Sequence, residues 1–267
     1  MNRKTTFILL VVVLALLVVV GAGCQKLRAR DQLNKGVVSF RTGDYPAAVE
    51  HFKLAVTMDS QLPVARTYLA MAYLMQYVPG AESPENNRLA QAAHEEFDRV
   101  LEKDPRNSVA LASVAQLYFS QKKLDDARDW YKKVIAVEPN NKGAYYTLGV
   151  IAWTKTFQPR METRAKLNMR PDDPGPLKDK KVREELRTQS LPIIEEGLQN
   201  LQKALAIDGQ YDDAMAYMNL LYRERADLEE SAADYKKDTE TADSWVDKTL
   251  ETKKVKASKT PSSGKGK

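Results

Sequence analysis

The side chains of this 267-residue chain that could do chemistry are few: one cysteine, Cys24, two histidines, His51 and His94, and a scatter of paired acids. A zinc hydrolase needs two imidazoles one helical turn apart with a glutamate beside the first. The segment AAHEEF starts such a pattern at His94, but Asp98 holds the place of the second histidine. Neither histidine has Cys, Asp or Glu around it at metal-ligand spacing, so no metal and no cofactor are expected. The pairs Asp125-Asp126, Asp172-Asp173, Glu184-Glu185 and Asp212-Asp213 fall at predicted helix ends and turns, where carboxylates are solvated. The terminal SSGKGK lacks phosphate-loop spacing and has no strand before it. No nucleophile can be paired with a base, and the expectation is a protein that is not an enzyme.

Composition is that of an ordinary soluble globular chain of one or two domains. At 43% hydrophobic and 29% charged residues the chain can build a sizeable core. Its formal charge of +5 sits at the ends, and residues 24–250 sum to −2. A body of that charge argues against nucleic-acid binding.

What, then, must position the solitary cysteine? Ahead of it, MNRKTT is a short cationic segment, and residues 7–23 run without a polar side chain. That is the pattern of a secretory signal or of a short membrane anchor. Gly21-Ala22-Gly23-Cys24 resembles the lipobox of bacterial lipoproteins, with Gly21 where that family usually has leucine. The resemblance implies that residues 1–23 are removed and that Cys24 is lipidated, since two or more acyl chains hold a protein at a bilayer. Retention of 7–23 as a signal anchor is the alternative. Gln25 is not the aspartate that retains enteric lipoproteins in the inner membrane, so the outer membrane, with the chain facing the periplasm, is favoured.

Beyond a short linker at 24–28, self-similarity dominates. Residues 108–141, thirty-four in number, place small Ala115 and Ala127 where two helices approach, Tyr118 and Tyr131 between them, and Pro139 at the close. The pattern recurs at about 29–62 with Gly36, Ala48, Phe52 and Ala55, where Asp44 suits a helix cap and Pro46 a first turn. It recurs at 63–107 with Leu69, Ala70, Tyr73, Ala93, Phe97 and Pro105, and at 142–211 with Tyr145, Leu148, Gly149, Leu201 and Ala204. A fifth unit, 212–252, carries Met215, Met218 and Tyr222. These units resemble tetratricopeptide repeats. The resemblance implies an all-α superhelical solenoid of helix pairs over 29–252, followed by a disordered Lys/Ser/Gly tail at 253–267.

Three units exceed the family length, with extra residues near 77–87, 156–191 and 226–236, each between the two helices of its pair. Equivalent turns of a solenoid share an edge, so the insertions are expected to project from one rim. The largest carries nine Lys and Arg against six Asp and Glu. An extended preceding helix, a Pro-rich turn near 171–176 and a helix near 178–190 are predicted, with Pro192 breaking or restarting the helix. A solvated helical hairpin is the plain reading, and Lys178, Lys180 and Lys181 are candidate contacts for an acidic partner or lipid head groups.

By family position, the first helices line the groove with Leu33, Val37, Phe40, Thr67, Met71, Leu74, Met75, Gln116, Phe119, Tyr146, Val150 and Trp153. Such an apolar, methionine- and aromatic-rich set suits an extended or helical hydrophobic peptide. Helix-spaced apolar residues also serve as core, and part of the set could pack internally. The Lys and Asn clamp of chaperone-binding repeats is absent, because Leu33, Val37 and Tyr68 hold its places. The resemblance thus implies a protein-interaction scaffold of the bacterial cell envelope. An inner-membrane chaperone-like escort of secreted chains is the alternative, and an enzyme-complex subunit is the least supported reading.

Overall fold

The computed structural model describes residues 24–259, and these are helical apart from short connections. Helix α1 carries residues 24–41, so 24–28 continue the helix and do not form a linker. It is followed by α2 (Tyr45–Met58), α3 (Pro63–Leu74), α4 (Pro84–Lys103), α5 (Ser108–Ser120) and α6 (Leu124–Val137). Then come α7 (Lys142–Lys166), α8 (Lys180–Ile207), α9 (Asp212–Ala226) and α10 (Ala232–Lys259). The chain divides after Lys123 into two compact units, within each of which successive helices pack as consecutive pairs.

Local chemistry fixes the helix starts. Asp44 accepts from the Ala47 N–H at 3.1 Å at the head of α2, and Asn107 and Asn141 cap α5 and α7 at 3.0 and 2.9 Å. Each cap satisfies an amide that has no partner inside the helix. Gly43, between α1 and α2, has a φ of 82°, which a side chain would strain.

In the first unit, α1 lies against α2 because Gly36 has no side chain. A Cβ there would meet the Phe52 ring at 2.5 Å. Phe52, Ala48 and Leu69 form the local core, with Leu33, Val37, Phe40 and Tyr68 packed against it. The extra residues near 77–87 form a connection organised by buried Asn86. Its amide accepts from the Val78 N–H at 2.8 Å and donates to the carbonyls of Val78 and Ala81.

In the second unit, the same logic joins α7 to α8, where a Cβ on Gly149 would meet Leu201 at 2.5 Å. The large insertion departs from expectation. It lengthens α7 to Lys166 and starts α8 at Lys180, with a cis Gly175-Pro176 bond between them. Yet it is not a solvated hairpin, because Met169, Leu177 and Leu186 are buried in one cluster with Ile194, Leu198, Met218 and Leu228. Nor does Pro192 break the helix. Its ring lies exposed on α8, which runs through it while the opposite face, Ile194, Leu198 and Leu201, stays packed. The burial of that face offsets the hydrogen bond that proline cannot make.

The insertion and the α9–α10 turn are in direct contact. The Leu177 N–H donates to the Asp227 carbonyl at 3.0 Å, and Arg187 donates to the Leu228 carbonyl at 2.9 Å. At the far end, α10 continues to Lys259, so residues 253–259 are helical where a disordered tail was expected. Lys256 pairs there with Asp212. Residues 1–23 and 260–267, including the apolar run at 7–23 and the end of the tail, lie outside the described residues.

Candidate functional site

In the first unit, the predicted groove residues divide between core and surface. Leu33, Val37 and Phe40 on α1 are half-buried against the Phe52 cluster, with the Phe40 ring 5.9 Å from that of Tyr68. On α3, Thr67, Met71 and Leu74 are half-buried, and Met75, just past its end, is 50% exposed. On α5, Gln116 is exposed and Phe119 half-buried.

In the second unit, α7 and α9 together present a continuous aromatic surface. Tyr146 lies 5.1 Å from Tyr211 and 5.5 Å from Tyr217, centroid to centroid. Trp153 lies 5.7 Å from Tyr217 and 5.0 Å from Phe157. All five rings are half-buried, so each keeps an accessible part. Tyr146, Trp153 and Phe157 recur at the spacing that places residues on one helix face. Val150, between them in sequence, is only 9% exposed and serves the interior.

The electrostatics of this surface are those of electron-rich rings beside a carboxylate. Burial pushes the Tyr146 hydroxyl far above its usual range, and the charges of Tyr217, Asp213 and Tyr211 add to the rise. The Tyr211 and Tyr217 hydroxyls are raised in the same way, by burial first and then by Asp213. These phenols therefore stay neutral donors at physiological pH. Tyr211, Tyr217 and Phe157 were not among the residues singled out from sequence. Asp213 and Tyr217, four apart on α9 and on a different face from core residues Met215 and Met218, carried the available signal.

The remaining candidates are dispersed. Cys24 is exposed on α1 with no disulfide partner. His51 Nδ1 meets Gln32 Oε1 at 2.8 Å, and the His94 ring packs edge-on to Tyr118 at 4.6 Å. Lys178, Lys180 and Lys181 are exposed around the start of α8, which Asp179 caps through the Val182 N–H at 3.0 Å. Of the paired acids, Asp125 is drawn below its usual pKa by its hydrogen bond from Lys155, and Asp212 by that from Lys256. Asp172 and Asp173 pair with Arg170. Among the described residues no group of three His, Cys, Asp or Glu is placed to hold a metal ion. Among the same residues no helix is long and apolar enough to cross a membrane.

Comparison with known proteins supports the repeat reading. Residues 87–149 match the tetratricopeptide repeat family. Sperm-associated antigen 1 of Mus musculus is 32% identical over 123 residues, a stretch covering 46% of this chain and 12% of that protein's length. Among solved structures, MamA superposes with a TM-score of 0.58 at 15% identity, covering 87% of this chain and 95% of that one. The MamA fragment from residue 41 to its end, from Desulfovibrio magneticus RS-1, gives 0.57 at 17% identity, covering 85% and 96%. YrrB, described as a TPR protein with an unusual peptide-binding site, gives 0.50 at 12% identity, covering 84% and 90%. At these identities the likeness is one of fold. The chain is an all-α protein whose helices pack in consecutive pairs, an architecture consistent with a tetratricopeptide solenoid.

Proposed function

We propose that this chain is a non-catalytic scaffold of the bacterial cell envelope that binds a protein partner through the apolar and aromatic faces of its first helices. The observation that carries the reading is the half-exposed row of rings on α7 and α9. Rigid aromatic side chains bury much area at small entropic cost, and they anchor extended or helical segments of partners. The tetratricopeptide fold, which presents such faces repeatedly, supports the same reading, as does the peptide-binding site named for YrrB.

The tether in this proposal is lipid on Cys24. The support is the lipobox-like Gly21-Ala22-Gly23-Cys24 after an apolar run, and the exposure of Cys24 itself. Gln25 after the cysteine favours the outer membrane, with the helices in the periplasm.

Partner capture by the intact chain tests the binding half. Phe119→Ala with Trp153→Ala should abolish capture at unchanged helicity, and loss of helicity would assign both rings to the core. The mass of the N-terminal peptide from the membrane fraction of a bacterial host tests the other half. A start at Cys24 with added diacylglycerol is expected, whereas an unmodified peptide beginning upstream of residue 7 would replace the lipid with a signal anchor.

A further inference from the structure

The second unit repeatedly sets a cation against an aromatic ring and then closes it with a carboxylate. Lys142 Nζ lies 5.2 Å from the Tyr211 centroid and 2.6 Å from Asp208. The Arg160 guanidinium lies 5.7 Å from the Phe157 ring and bonds Glu224 at 2.8 Å. Arg225 lies 4.8 Å from the Tyr222 ring and bonds Asp238 at 2.7 Å. In each case the ring's negative face and the carboxylate share one cation.

A fourth arrangement has the rings and the carboxylate, and among the described residues no cation is paired with that carboxylate. Asp213 is exposed in the first turn of α9, one helical turn before Tyr217 on the same face. The Tyr146 and Tyr217 rings meet edge to face, with planes at 83° and centroids 5.5 Å apart, and form a corner at which each ring keeps an accessible part. Asp213 forms no ion pair among the described residues, whereas the nearby cations Lys142 and Lys256 are taken by Asp208 and Asp212.

We infer that this corner receives an arginine or lysine side chain from an otherwise apolar segment of the partner protein, with the cation against Tyr146 and Tyr217 and paired with Asp213. The inference rests on the scaffold reading above and adds the chemistry of the partner. Trp153 and Phe157 continue the surface from the corner and would take the apolar residues that flank the basic one.

Calorimetric titration of the full chain with three acetylated and amidated pentapeptides, Phe-Leu-X-Leu-Phe with X as Arg, Gln or Glu, tests it. The Arg peptide should bind about tenfold more tightly than the Gln peptide, from one ion pair reinforced by ring contact. Asp213→Asn should erase that advantage and leave the Gln peptide unchanged. Equal binding of all three peptides, a preference for Glu, or an Arg advantage that survives Asp213→Asn would overturn the cation site while leaving the scaffold reading intact. Failure of all three to bind would overturn both for this surface.

Discussion

Arg164 near the end of α7 and Asp227 just beyond α9 are joined by two hydrogen bonds, from Nη1 to Oδ1 at 2.6 Å and to Oδ2 at 2.8 Å, with each residue 2% exposed. Arg160 reaches the same carboxylate at 2.9 Å and Glu224 at 2.8 Å. The remaining donors of Arg164 meet the carbonyls of Arg170 and Asp173. This network binds the large insertion to the turn before α10. It makes the insertion part of the unit's interior.

Removing one partner of a buried pair leaves the other charge desolvated and unpaired. Asp227→Ala should therefore cost about 3–5 kcal/mol in urea denaturation. Replacing Arg164 and Asp227 together by apolar residues of similar volume should cost less than the single change. A loss below about 1 kcal/mol for Asp227→Ala, the range of a surface pair, would show that the network does not hold the insertion.

The contact of Gly149 with Leu201 predicts a second effect. Gly149→Ala places a methyl group 2.5 Å from the leucine side chain, and overpacking of this kind typically costs about 1–3 kcal/mol. Leu201→Ala alone opens a cavity. The two changes combined should cost less than their sum, and simple additivity in a double-mutant cycle would mean that the helices move apart instead.

Glu224 sets a pH dependence. Burial raises its carboxyl from 4.5 to about 7, against the opposing pull of Arg160 and with a further push from Asp227. Between these values the folded chain holds a proton that the unfolded chain has lost, so this contribution to stability is complete below pH 4.5 and falls as pH rises towards 7. Thermal melts at pH 5 and pH 7.5 should show a smaller decline for Glu224→Gln than for the unaltered chain. Asp125, Asp208 and Asp212, whose pKa values lie below the ordinary 3.8, act only at more acid pH. Identical declines in the two proteins would remove Glu224 as the source.

Pro192 interrupts the hydrogen bonding of α8 from an exposed position. Pro192→Ala supplies the missing amide and relieves the ring's clash, and should raise stability by up to about 3 kcal/mol. A fall in melting temperature would mean that the restriction proline places on the unfolded chain outweighs the missing hydrogen bond.

The helix pairs were legible because their signals are local or periodic. Gly36 with Phe52 and Gly149 with Leu201 occupy repeat positions where helices approach, and the structure brings both pairs into contact. Asp44 and Pro46 act within one turn of the helix they start. The candidate surface was legible in part. Tyr146 and Trp153 were predicted from their place on a first helix, whereas Tyr211 and Tyr217 come from the next first helix and join them only after packing.

The amino-acid sequence by itself determined that the chain is built of repeated helix pairs, where most of those helices start, and which small residues let them touch. Spacing of three, four and thirty-four residues carries that information without reference to distant parts of the chain. Tertiary structure decided that α8 runs through Pro192, that the insertion is interior, and that five rings and Asp213 share one surface. These outcomes depend on groups such as Arg164 and Asp227, 63 residues apart. Only packing removes the water that would otherwise screen such a pair, and no local spacing records that event.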